Sequence, residues 1–163
     1  MDIYVGVFEQ RSENRLLLVV EDNGKGIRKE DLPKVTDPFY SRSDPMRNRV
    51  GLGLSLFYQD CKLCGGEVRI MSAPGTGTKV EGVMQYDHID RQPLGDTAQL
   101  FLNLILQHER VAWTFEHRVD SKGYRRSIAD IRGELGLDGF KKKSEHGALK
   151  EFLLALEHRI KAQ

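Results

Sequence analysis

The 163 residues predict an α+β fold in two parts, a larger unit over residues 1–86 and a small α/β appendage over residues 87–163. Two observations carry this. Short apolar runs come in pairs joined by turn-forming residues, as in β-hairpins, and stretches with helical apolar spacing stand between those pairs. The parts meet at residues 87–96, a polar stretch with Pro93 and Gly95 that reads as a linker.

Ile3, Val5 and Val7 alternate with Tyr4, Gly6 and Phe8, and a second apolar run at 16–20 follows the polar stretch 9–14, so the chain opens with a hairpin. The second strand ends in Glu21-Asp22-Asn23-Gly24-Lys25-Gly26, residues that tolerate positive φ and suit a ligand-facing loop. A short helix is predicted over 28–35. Asp37-Pro38-Phe39-Tyr40 ends it, because proline disfavours helical geometry in the residue before it. Residues 41–49 hold three arginines, a proline and almost nothing apolar, and read as an exposed loop leading to Gly51-Leu52-Gly53-Leu54. A helix begins directly at those glycines, carries Leu54, Leu56, Phe57, Cys61 and Cys64, and stops at Gly65-Gly66. Strands over 67–71 and 78–85 follow, joined by Ser72-Ala73-Pro74-Gly75-Thr76-Gly77. The appendage reads as a helix over 97–106, strands over 111–119 and 124–128, a short helix over 131–135, solvated lysines at 141–143 and an amphipathic helix over 149–160.

Twenty-five basic against 24 acidic side chains leave a formal net charge of +1, so no overall field draws the chain to nucleic acid or to a membrane surface. Three consecutive lysines in a polar stretch are a solvated face rather than a DNA-binding patch. The longest uninterrupted apolar runs, 16–20 and 152–156, fall far short of the roughly 20 residues of a spanning helix. With no signal-peptide pattern at the N-terminus, the expected place is the cytoplasm. Cys61-x-x-Cys64 has the spacing of a redox pair or of half a zinc site, but no second pair of ligands stands near it, and buried packing is the expected role.

Three glycine-bearing turns bear on chemistry. Asp22-x-Gly24-x-Gly26 follows a strand, Gly51-x-Gly53 opens a helix, and Gly75-Thr76-Gly77-Thr78 joins two strands. Glycines at a helix N-terminus let backbone N–H groups approach a polyphosphate, where the helix dipole favours negative charge. A carboxylate at a strand end beside a glycine turn accepts a hydrogen bond from an exocyclic amine, and the missing side chains leave room for a flat base. Singly, each turn is better explained as a plain turn or as close packing than as a ligand site.

As an ordered set they resemble the motifs of the GHKL ATPases, a family that includes histidine kinases, the gyrase B subunit and mismatch-repair ATPases. The resemblance spans residues 3–84. Glu21-Asp22-Asn23-Gly24-Lys25-Gly26-Ile27 is similar to the first glycine box, Asp37-Pro38-Phe39-Tyr40 to the phenylalanine box, Val50-Gly51-Leu52-Gly53-Leu54-Ser55 to the second glycine box, and Gly75-Thr76-Gly77-Thr78 to the closing adenine-side motif. The resemblance implies a two-layer α/β sandwich that takes ATP with Mg2+. Asp22 would accept the adenine amino group with support from Thr78, Gly24, Gly26 and Ile27 would line the base, and residues 41–50 would form a lid. Gly51, Gly53 and Leu54, with Leu52 between them, would meet the phosphates through backbone amides, helped by Arg42, Arg47 or Arg49.

One motif of the family is not matched. Its first helix, with a glutamate as general base and an asparagine for magnesium, precedes the first hairpin, and Glu9, Glu13 and Asn14, read as hairpin-turn residues, stand on the wrong side of the strand to replace it. No catalytic residue or metal ligand is therefore assigned. An N-terminally incomplete sandwich is expected to expose apolar sheet surface, which favours self-association or a protein partner. The region from His88 onward, including residues 88–96, further resembles small bacterial stand-alone ATP-binding proteins in which the domain is followed by a short α/β tail, some of them encoded beside iron-only hydrogenase or NADH-oxidoreductase subunits. Two functions are in contention: a histidine-kinase-like protein that binds ATP and hydrolyses it or passes its phosphate to a partner protein, and a noncatalytic adaptor whose nucleotide site is a switch or a relic. None of His88, His108, His117, His146 and His158 sits in a recognisable phospho-acceptor helix, so a transferred phosphate would go to another protein.

Overall fold

β1 (Asp2–Gln10) and β2 (Arg15–Asp22) form the opening hairpin, closed by a 3-10 turn at Arg11–Glu13 and by Asn14 in the left-handed region. The computed structural model describes residues 1–36 and 52–162. β1 runs further than its apolar alternation suggests. Glu9, read from the sequence as a turn residue, is in the strand and buried. Residues 28–35 do not make the expected helix; only a 3-10 turn, Leu32–Lys34, forms. Pro33 has no N–H to donate, so the segment closes short turns such as Lys34 N–H to Asp31 O instead of an α-helical ladder.

After α1 (Leu52–Leu63) come β3 (Glu67–Ala73) and β4 (Gly77–Gln85). Then follow α2 (Thr97–Gln107), β5 (Ala112–Val119), β6 (Lys122–Ser127), α3 (Ile128–Leu135) and α4 (Lys143–Lys161). α2 is capped by Asp96, whose side chain accepts the Gln99 N–H at 2.9 Å, and it buries Ala98, Phe101, Leu102 and Ile105 at helical spacing. α3 opens on a Ser127–Asp130 capping box and stops at Gly136 in the left-handed region. α4 begins at Lys143, six residues before the first apolar position that marks it in the sequence.

All six strands join one mixed sheet in the order β3-β4-β2-β1-β5-β6. β5 lies parallel to β1, and every other neighbour is antiparallel. The strands of residues 87–163 thus extend the sheet begun by residues 1–86 rather than building a second one. The helices share one face of it, which makes two layers. On that face the register sets side chains in rows: Ile3, Asp22, Thr78 and Ser72, then Val5, Val20, Val80 and Ile70, then Val7, Leu18, Gly82 and Val68.

α1 seats on β3 and β4 because Gly82 leaves room for it. A Cβ at that position would overlap the Phe57 ring and come within 2.9 Å of the Cys61 sulfur. Gly82→Val is therefore expected to lower stability by about 1–3 kcal/mol through overpacking, measured by urea denaturation with Met84→Leu, a near volume-conserving change on the same strand, as the mild control. Cys61 and Cys64 are free, fully buried thiols beneath the same helix, and burial pushes the Cys61 thiol up to about 11, which suits packing and not redox exchange. At the other end Phe115 stacks between Phe101 and Trp113, with ring centroids 4.3 Å and 5.6 Å apart. Ile131, Leu149 and Leu153 from α3 and α4 complete that part of the core.

A buried polar cluster ties the two parts of the chain together. His117 of β5 has no exposed surface; its Nδ1 lies 2.8 Å from Glu157 Oε1 of α4 and its Nε2 lies 3.0 Å from Glu9 Oε1 of β1. Glu157 also accepts from Tyr124 at 2.6 Å and Thr97 at 2.5 Å and pairs with Lys161 at 2.9 Å. Glu9 accepts from Tyr86 at 2.7 Å and Arg11 at 3.1 Å. Burial alone would push the imidazole down, but the hydrogen bonds to Glu157 and Glu9 outweigh it and raise its pKa above 6.5. Burial likewise opposes ionisation of both carboxylates, and their hydrogen bonds, His117 foremost, hold each of them at about 2.

Candidate functional site

The first row of the sheet's helical face ends in a pocket of about 560 Å³ lined by Met1, Ile3, Asp22, Gly24, Lys25, Gly26, Ile27 and Thr78. Five of its residues, Asp22, Gly24, Gly26, Ile27 and Thr78, are the sequence-predicted base-binding residues, contributed by the β2 end, the turn after it and the start of β4. Asp22 is held by its own turn: Oδ1 accepts the Gly24 N–H at 2.7 Å, the pattern of an Asx turn. Oδ2 has no hydrogen-bond partner among the described residues. The turn is nested against the β3–β4 connection, where Gly75 N–H donates to Lys25 O at 2.9 Å. Gly26 makes that contact possible, with φ 69° and a position where any Cβ would overlap the Ala73 carbonyl oxygen.

Ser72 is the residue that the sequence reading missed. Its hydroxyl donates to Gly77 O at 2.7 Å, accepts the Ile27 N–H at 2.8 Å and lies 2.9 Å from Thr78 Oγ1. A hydroxyl has one proton, and that of Ser72 is committed to Gly77, so Thr78 donates to Ser72 and keeps its lone pairs for a ligand. The pocket floor thus presents two acceptors in one row, Asp22 Oδ2 and Thr78 Oγ1. Such a pair suits a group with N–H donors and opposes a carbonyl oxygen. The only sequence signal for Ser72 is its place opposite Thr78 across the β3–β4 turn, which is readable once the register is known.

Beyond the first row lies an apolar trough of about 720 Å³ between α1 and α2. Val5, Leu18, Val20 and Val80 form its floor, Leu54 and Phe57 one wall, and Leu94 and Leu100 the other. Its width follows from the layers. Strands stand about 4.8 Å apart and packed helices about 10 Å apart, so one helix covers two strands. α1 covers β3 and β4, and α2 with α4 covers β5 and β6, which leaves β2 and β1 partly uncovered at the second row, where Val20 is 46% and Leu100 48% exposed, while Val7 and Leu16 further along the same strands are buried. Gly53 and Leu54 line the trough beside the second row and not the base pocket itself. Phe39 and Gly51 lie outside the described residues, and of Leu52 only its backbone place at the start of α1 is described.

The turn, the pocket and the sandwich define a histidine-kinase-like ATPase domain. The model of the family "Histidine kinase-, DNA gyrase B-, and HSP90-like ATPase" matches residues 2–87, more than half of the chain, and the chain belongs to that family. Over 75 residues it is 39% identical to the signal transduction histidine-protein kinase AfsQ2 of Streptomyces coelicolor, covering 45% of this chain and 14% of that protein. Over 82 residues it is 37% identical to the sensor histidine kinase YclK of Bacillus subtilis, covering 48% and 17%. Over 70 residues it is 43% identical to the sensor histidine kinase YkoH of the same organism, covering 40% and 15%. The chain thus spans less than a fifth of the length of each of these relatives.

The pocket fits the base of the ATP that the family implies: two acceptors, a glycine turn with no side chain to fill the space, and Ile3 and Ile27 as apolar flanks. Magnesium fares differently. Among the described residues no group of three or more His, Cys, Asp or Glu side chains stands where it could hold a metal ion, a pattern that does not bear on the asparagine-held magnesium of the family. No helix among them is long and apolar enough to cross a membrane.

Proposed function

We propose that the chain binds an adenine nucleotide through Asp22 and Thr78, and that it acts as a cytoplasmic, histidine-kinase-like protein that hydrolyses ATP or passes its γ-phosphate to a protein partner. The observation that carries this reading is the pair of acceptors on the pocket floor, oriented by the Gly24 N–H and by Ser72. Gly24, Gly26 and Ile27 line the base. Gly53 and Leu54, one row along the sheet, take the phosphates together with Gly51 and Leu52 through backbone N–H groups, and Phe39 contributes to nucleotide binding. Residues 1–86 are the portion that holds nucleotide, and residues 87–163 complete its sheet.

A second reading, a noncatalytic adaptor, is favoured by the apolar trough. In that reading the trough receives a protein partner or a second copy of the chain. The readings separate by titrating the whole chain with ATP, ADP and GTP by calorimetry, with and without magnesium, beside an ATP-turnover assay. Saturable ATP and ADP binding is expected, with GTP weaker by about tenfold or more because its 6-oxo group sets an acceptor against two acceptors. Magnesium-dependent turnover supports the kinase-like reading, binding without turnover supports the adaptor, and no binding of either adenine nucleotide overturns the nucleotide site.

A further inference from the structure

We propose that the free edge of β3 pairs antiparallel with β3 of a second copy of the chain, so that two six-stranded sheets run on as one. Among the described residues β3 has β4 on one side and no strand on the other. Its backbone is set for pairing. Ala73 turns its carbonyl towards β4, where it accepts the Thr76 N–H at 3.1 Å, and backbone groups alternate in direction along a strand, so Val68 and Ile70 hold theirs outwards. A row of such groups is a template for another strand.

The second copy follows from self-complementarity. Glu67 and Arg69 stand on the face of β3 away from the helices, 2.6 Å from each other and with side chains 50% and 69% exposed. In an antiparallel pair about a twofold axis at Val68, Glu67 of each copy lies opposite Arg69 of the other, and both ion pairs form across the joint. An axis at Arg69 sets two arginines against each other, and an axis at Ile70 sets Arg69 against Met71, so charge selects the register. The opposite edge of the sheet lacks this property. β6 carries Lys122, Arg125 and Arg126, all of one sign, and the Arg126 guanidinium donates to the Arg125 carbonyl at 2.9 Å, so that edge repels a copy of itself.

The helix layer fits the same arrangement. α1 lies over β3 and β4, so across the twofold axis the two α1 helices stand two strand spacings apart, about 9.6 Å, within the roughly 8–10 Å of packed helices. Leu56 and Leu63, two turns apart on α1, are 52% and 60% exposed, and neither lines the trough. Pairing brings this half-open stripe to its copy and covers it, which adds apolar burial to the strand hydrogen bonds. The register engages residues 66–70 and leaves Ser72 and Ala73, beside the nucleotide pocket, clear.

Sedimentation velocity on the full-length chain, from low micromolar to near-millimolar concentration, is expected to show a reversible equilibrium between monomer and dimer. Arg69→Glu and Glu67→Arg each set like charges opposite one another at both pairs, and each is expected to weaken the dimer by roughly tenfold or more. Circular dichroism checks that these exposed changes leave the fold intact. Mixing the two variants in equal amounts restores both matched pairs, and a heterodimer is expected at concentrations where neither variant self-associates. The double variant, Glu67→Arg with Arg69→Glu, is expected to regain the homodimer. A chain that stays monomeric throughout overturns the proposal. So does a dimer that both single variants leave unaltered, which places the contact at another surface such as the trough, and so does a mixture that stays monomeric. The unsubstituted chain supplies a readout that needs no variant: the Val68 and Ile70 amide protons are expected to exchange more slowly as concentration rises, and exchange independent of concentration overturns the pairing.

Discussion

Asp22→Asn is expected to weaken ATP and ADP binding about tenfold to a hundredfold, the loss of one charge-assisted hydrogen bond worth about 1.5–3 kcal/mol. Asparagine is chosen because it keeps the turn. Its carbonyl oxygen can still accept the Gly24 N–H that Asp22 Oδ1 accepts at 2.7 Å, so the backbone that shapes the pocket is retained. What changes is the second atom, where an acceptor becomes an NH2 donor facing the donor N–H of an adenine amino group. The same change removes the reason for rejecting guanine, whose 6-oxo group now meets a donor, and the preference for ATP over GTP is expected to narrow. Calorimetry with both nucleotides on both proteins measures this, and circular dichroism checks the fold. Unaltered ATP affinity, or an equal loss for ATP and GTP, would show that Asp22 does not read the base.

Most of the local structure is legible in the sequence because it is written in short-range patterns. The glycine turn at 22–26, the hairpin over β3 and β4, and the α2 start at Asp96 each depend on residues within a few positions of one another. What escapes the sequence is non-local. Nothing near residue 115 says that β5 lies parallel to β1, more than 100 residues earlier, and a composition change at residues 87–96 therefore reads as a domain boundary although the sheet runs on across it. Glu9 looks like a turn residue because it is charged; its burial only makes sense once His117 stands beside it. Ser72 is hidden for the same reason, since its role depends on the strand partner that places Thr78 opposite it. The missing helix at 28–35 is a local difference of another kind: Pro33 stands within the segment and leaves only the 3-10 turn Leu32–Lys34.

The largest expected loss of stability follows from His117→Leu. In the folded chain the imidazolium is shared by two buried carboxylates, at 3.0 Å from Glu9 and 2.8 Å from Glu157, and leucine leaves both without it. Breaking a buried ion pair from one side costs about 3–5 kcal/mol, because the charge left behind is neither solvated nor matched. Arg11 and Lys161 reach the same carboxylates from the rim and soften this, which places the expectation at the lower end of that range. Adding Glu9→Gln and Glu157→Gln to the leucine variant removes the stranded charges and should recover part of the loss. The pH dependence has a definite sign. The imidazole pKa is raised above 6.5 in the fold, so its stabilisation is complete below about pH 6.5 and fades as pH rises through the folded value. The carboxylates fall from 4.5 to about 2, so theirs is complete above about pH 4.5 and is lost as pH falls towards 2. The cluster therefore stabilises most between about pH 4.5 and 6.5. Urea denaturation across pH 3 to 9 should show the gap between His117→Leu and the unsubstituted chain widest in that window and narrowing on both sides. A gap independent of pH would mean that His117 contributes shape and not charge. The cluster joins β1 to β5, β6, α2 and α4, so its loosening should first release residues 87–163 from the sheet, seen as faster amide exchange in β5 and α4 than in β2 and β4.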